Sequence, residues 1–163
     1  MIRASSRLFA LALALALAGC ARSDPGQDAA VQNGLAPVTL TGVSGTRTLN
    51  VELARTPAQQ ERGLMFHTDL KAGQGMLFYP YPATGGPPRP ANFWMKNTPT
   101  SLDIIFIRAD GTIARIAENT VPYSEEQVPS GEPVAAVLEL VGGQAAVLGL
   151  SEGDKVTLPK LSS

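Results

Sequence analysis

Residues 93–117 read FWMKNTPTSLDIIFIRADGTIARIA, and their patterning sets the fold class. Leu102–Ile107 is a nearly unbroken run of β-favouring apolar residues, the signature of a central strand covered on both faces. Asp110-Gly111 punctuates it as a two-residue hairpin turn, with Thr112–Ala117 as the returning strand. Upstream, Phe93–Asn97 reads as a third strand joined through Pro99-Thr100. These turns place Ile105 opposite Ile116, Trp94 opposite Ile105, Lys96 opposite Asp103 and Asp103 opposite Glu118.

Working outward, short strand signals dominate. Val38–Gly42 and Thr46–Leu53 alternate around Ser44-Gly45, and Met76–Tyr81 and Val134–Val141 are apolar runs. Lys155–Leu158 is a last short strand. Thr56-Pro57-Ala58-Gln59 starts a helix, with Thr as cap, Pro at the first helical position and Gln three residues after the cap. Gly63 cuts that helix short, and Gln144–Leu148 is a helical turn ended by Gly149. Pro82–Ala91 (PATGGPPRPA) and Glu118–Pro133 are proline-rich and read as loops outside any ladder. Seven or eight strands at this spacing predict an all-β fold: one small sandwich or partly closed barrel with one short helix.

The first 19 residues are of a different kind. Arg3 and Arg7 precede Leu8–Ala18, almost wholly Ala and Leu, and small residues follow, as in a cleaved export signal. The apolar run is too short to span a bilayer. Cys20, the single cysteine, closes Leu17-Ala18-Gly19-Cys20, which resembles the lipobox of bacterial lipoproteins. That resemblance implies cleavage before Cys20 and acylation there, and several acyl chains give a stable membrane anchor. Residues 1–19 are then a signal peptide, 20–37 a polar tether, and 38–160 one β-rich domain. Ala21 rather than Asp after the cysteine fits sorting to the outer membrane of a two-membrane envelope, facing the periplasm.

Composition narrows the function. The chain carries 13 Lys and Arg against 14 Asp and Glu, and the leader takes two arginines with it, so no cationic field for nucleic acid remains. A lipidated Cys20 leaves neither a nucleophilic thiol nor a disulfide. His67, the single histidine, excludes a two-histidine metal site within one chain.

Six blocks carry a family resemblance. Glu61-Arg62-Gly63-Leu64-Met65, Gly75-Met76-Leu77-Phe78, Phe93–Thr98 (FWMKNT), Leu102–Phe106 (LDIIF), Val137–Leu140 (VLEL) and Gly153-Asp154 stand in that order. Together they resemble the domain-of-unknown-function 192 family from about Leu49 to Leu158. The resemblance implies a small, jelly-roll-like β-domain, often exported, with no activity to carry over. His67 and the TPTS segment depart from the family pattern, where Arg and a more aliphatic linker are usual.

Three constellations could carry chemistry. Trp94, Lys96, Asp103 and Glu118 on one face form either a polar ligand site beside an aromatic wall or a structural ion pair that fixes strand register. Met65, Met76 and Met95, with His67, are soft donors suited to Cu(I) in an exported compartment, or else gap-filling core residues. An enzyme would rest on Asp103, Glu118, Glu139 and Lys96 as acid–base groups, although Glu139 between Leu138 and Leu140 reads as solvent-facing. Tyr79, Tyr81 and Trp94 could stack on sugar rings. The reading is a lipid-anchored envelope module that binds a small ligand or an envelope protein, with no resident cofactor.

Overall fold

The computed structural model describes residues 34–161, and they form an all-β fold with two short helices. The chain runs β1 (Leu35–Gly42), β2 (Gly45–Ala54), α1 (Pro57–Arg62), β3 (Gly75–Phe78), β4 (Arg89–Phe93), β5 (Leu102–Ile107) and β6 (Ile113–Ala117). It continues through β7 (Val128–Val134), β8 (Ala136–Val141), α2 (Gln144–Leu148) and β9 (Lys155–Thr157). Seven strands pair in the order β6-β5-β8-β3-β2-β1-β9, while β4 and β7 form a separate two-stranded sheet. The large sheet curls until its edges meet: Thr112 bridges Lys155, and the Val156 N–H donates to the Gly111 carbonyl at 2.8 Å. The product is a nearly closed barrel, in which few ladder groups stay unpaired.

Alternation along the strands makes two cores. Val38, Leu40, Val51, Leu77, Ile105 and Leu138 point into the barrel. Met76, Phe78, Ile104, Phe106 and Val137 point away from it and are covered by the β4–β7 sheet and neighbouring loops. All six residues of β5 are therefore buried, the charged Asp103 among them, as expected of a nearly unbroken apolar strand.

Local signals place the elements well. Ile105 pairs with Ile116. The turn between β5 and β6 is longer than two residues, because the Arg108 N–H donates to the Thr112 carbonyl and Gly111 takes φ +78°. Three residues therefore loop out, with a register shift before Ile107. At α1, the Thr56 hydroxyl accepts from the Gln59 N–H at 3.2 Å and the Gln59 side chain accepts from the Thr56 N–H at 3.0 Å. That reciprocal cap is the predicted one. Thr56→Ala is expected to cost about 1 kcal/mol in a urea melt. A loss indistinguishable from zero would mean that tertiary contacts alone hold this helix.

Two further expectations are corrected. The proline-rich segments predicted as loops pair with each other, Pro90 opposite Pro133 and Asn92 opposite Pro129. A two-stranded sheet is all edge, so prolines lacking an N–H can sit where no ladder bond is needed. Arg108 pairs with Glu132, and Arg115 donates to the Pro129 carbonyl, fastening this small sheet to the β5–β6 hairpin. Phe93–Asn97 does not pair with β5, because β8 and β6 already occupy both edges of that strand. Instead the Met95 N–H donates to Ser124 and the Asn97 carbonyl accepts from Phe66. The barrel also holds one parallel pair, β2 with β3, and the crossover through α1 supplies the length that such a pairing needs.

Candidate functional site

The correction at Phe93–Asn97 separates the four residues expected to share one face. Asp103 points into the end of the barrel and is completely buried. Its Oδ1 accepts from the Asn119 and Gly143 N–H groups at 2.8 and 3.0 Å, and its Oδ2 from the Ala145 N–H at 2.8 Å. Backbone donors after β6 and at the start of α2 therefore satisfy this carboxylate, and no lysine among the described residues does. The β5–β6 ladder ends at Ile104 and Ala117, and Glu118 beyond it is exposed. Lys96 places its Nζ 5.0 Å from the Trp94 ring centroid. Trp94 and Lys96 do stand together, on a cleft that includes neither Asp103 nor Glu118.

That cleft, of about 430 Å³, lies over the outer face of β3 and β8. One wall is α1 and its exit. Gln60 fixes this wall, donating to the Ala54 and Pro80 carbonyls at 3.1 and 2.8 Å and accepting from the Ala83 N–H at 3.1 Å. The other wall is β4 with Trp94 and Lys96 beyond it. Phe93 joins wall to core, edge-on to Phe78 at 4.9 Å and to Phe106 at 6.0 Å, with Tyr81 tilted against it at 6.0 Å. Arg89 lies 6.0 Å from the Tyr81 ring.

Glu139 of β8 forms the floor. It stands in register between Met76 and Ile104 and is only 4% exposed. The strand alternation correctly turns it out of the barrel, but the second layer covers that face, so it does not meet bulk solvent. Gly63 makes the space: a Cβ there would come within 3.2 Å of Phe78 and 4.0 Å of the Glu139 Oε2. Among the described residues the carboxyl has no hydrogen-bond or ion-pair partner. Burial alone pushes its pKa up to about 8, so the group is largely a neutral acid at neutral pH. Its covered position was readable in one signal: Val137 and Val141, two residues to either side on the same face, are apolar.

The sulfur donors are divided. Met65 lines this cleft, whereas Met76 and His67 line an adjoining one of about 450 Å³. Met95 is buried in the outer core, its sulfur accepting from the Thr120 hydroxyl at 3.1 Å. His67 Nδ1 lies 3.6 Å from Glu52 Oε1. Among the described residues no three His, Cys, Asp or Glu side chains form a metal-holding group. Tyr79 packs against the barrel core rather than in the cleft. Cys20, the leader and residues 20–33 of the tether lie outside the described residues, and β1 begins at Leu35 rather than Val38.

Comparison with known proteins agrees with this architecture. The family model of DUF192, described as "Uncharacterized ACR", matches residues 39–158. A protein of unknown function from Novosphingobium aromaticivorans DSM 12444 superposes with a TM-score of 0.70 at 49% identity, over 76% of this chain and 84% of that one. A protein of Sinorhizobium meliloti 1021, provisionally called a transcription regulator, does so with a TM-score of 0.69 at 46% identity, over 76% and 93%. No curated protein matches the chain.

Proposed function

We propose that this chain, which belongs to the domain-of-unknown-function 192 family, is a lipid-anchored binding module of the cell envelope whose cleft over Glu139 holds a small ligand. The observation that carries the binding role is the buried, unpartnered Glu139 carboxyl at the floor of an aromatic-walled cleft. Its oxygens have no protein partner among the described residues and open onto the cleft, so a ligand that hydrogen-bonds to them there gains a polar anchor among apolar walls. Trp94 is the chain's single tryptophan, so its fluorescence reports occupancy. Small-molecule fractions from the envelope should shift Trp94 emission in the full chain and lose that effect in Glu139→Leu. If no fraction shifts it, the binding role is wrong.

The anchor is supported by the charged start, the Ala/Leu run and the Ala-Gly-Cys end of residues 1–20. Replacing Cys20 by serine is expected to move the protein from the membrane to the soluble fraction and to abolish labelling by radioactive palmitate. A wild-type protein that stays soluble and unlabelled would exclude the anchor.

A further inference from the structure

The ionisable groups lining the cleft are Glu61 and Arg62 from α1 and its exit, Tyr81 from the loop after β3, Arg89 and Lys96 from β4 and beyond, and Glu139 itself. The strand neighbours of Glu139, Met76 and Ile104, bring no charge. Among the described residues none of Arg62, Arg89 and Lys96 joins an ion pair. Two of them lie beside aromatic rings, Lys96 at Trp94 and Arg89 at Tyr81, which orients a cation without neutralising it. Three cations thus face one exposed carboxylate, Glu61, in a chain whose formal charge is −1. The cleft is a positive island in an acidic protein, and its floor is a hydrogen-bonding carboxyl set among Phe78, Leu64 and Gly63.

Building on the cleft as a binding site, we infer that its ligand is a small organic anion with an apolar ring or short-chain body, its charge held by Lys96, Arg89 and Arg62 and an acceptor atom seated on the Glu139 carboxyl. A cationic ligand meets three like charges at the mouth. A neutral polyol can satisfy Glu139 but leaves those cations uncompensated. Anion binding is also proton-linked. The acid that burial holds un-ionised to about pH 8 donates to the ligand below that pH, and above it becomes a second negative charge facing the anion. The other facing groups are Glu61, Arg62, Arg89, Tyr81 and Lys96, and the Glu139→Gln variant separates the response of all of them from that of Glu139.

The test is calorimetric titration of the full chain with three probes on one ring: indole-3-acetate, indole-3-acetamide and tryptamine. At about pH 6 the carboxylate should bind tightest and the amine weakest. Raising the pH to about 9.5 should weaken indole-3-acetate at least roughly tenfold, and Glu139→Gln should abolish most of that dependence while retaining binding. The paired change Lys96→Met with Arg89→Met should lower indole-3-acetate affinity roughly tenfold and leave indole-3-acetamide little changed, which also shows that the variant is folded. Any other order of probes, or an anion affinity that rises with pH, overturns the ligand class while leaving the cleft as a site. Failure of all three probes to bind also overturns this ligand class, whereas binding indifferent to Glu139→Leu overturns the binding cleft itself.

Discussion

Asp103→Ala is expected to destabilise the domain by roughly 3–5 kcal/mol, because it strands three backbone donors at once, one buried and two part-buried, and empties a fully buried site. The carboxylate joins the segment leaving β6, through Asn119, to the segment entering α2, through Gly143 and Ala145. Asn119 and Gly143 both hold positive φ, 50° and 83°, so the N–H groups that converge on Asp103 belong to backbone that it helps to fix. Asn at this position keeps one acceptor but turns an amide NH₂ toward an N–H, so a substantial part of the loss should remain. Lys96→Met is the informative contrast. Its ammonium sits by the Trp94 ring and carries no carboxylate, so the change should cost about 1 kcal/mol or less. Urea melts of the three variants decide the matter. If Lys96→Met costs as much as Asp103→Ala, the two residues do form a charge pair and this placement is wrong.

Glu139→Gln should do the opposite and stabilise the protein, in a pH-dependent way. The folded state holds the Glu139 proton to about pH 8, whereas an unperturbed glutamate releases it near 4.5. Between those values the folded state carries the extra proton, so stability falls as pH rises, by up to about 1.4 kcal/mol per unit. Below about pH 4.5 both states are protonated and the penalty vanishes; above about pH 8 it is complete. Glutamine is neutral and nearly isosteric and removes the slope. Variant and wild type should therefore match near pH 4.5 and diverge to roughly 3–5 kcal/mol in favour of the variant near pH 8.5. Parallel stability curves across that range would show that Glu139 ionises freely in the fold. Residues that stabilise less than a neutral replacement belong to function more often than to folding, which is the physical reason for centring the site here.

Much of the barrel was legible because its signals are local. Alternation, the Thr56–Gln59 cap and the Asp110-Gly111 turn act within a few residues, and the pairing of Ile105 with Ile116 follows from them. What lies beside β5 on its other edge was not legible. That neighbour is β8, some thirty residues further on, and nothing in either strand names its partner. The error propagates: Val134–Val141 reads as a strand but not as the neighbour of β5, which leaves Phe93–Asn97 free to pair there and sets Lys96 opposite Asp103. The prolines misled for a different reason. They rule out a central strand but not a two-stranded sheet, and it is this sheet that roofs the outer core. Glu139 combines both failures. Its direction followed from alternation, but its burial depends on that covering layer. Trp94 and Lys96 were grouped correctly by proximity in sequence, whereas the acid that shares their cleft arrives from a strand more than forty residues away.

A carbon-13 NMR titration of the Glu139 side-chain carboxyl in the full chain would show whether Glu139 is a neutral acid at the floor of an open cleft. A midpoint of about 8 is expected, together with a shift of the Trp94 indole signal over the same pH range. A midpoint near 4.5, or a Trp94 signal indifferent to the Glu139 titration, would contradict it.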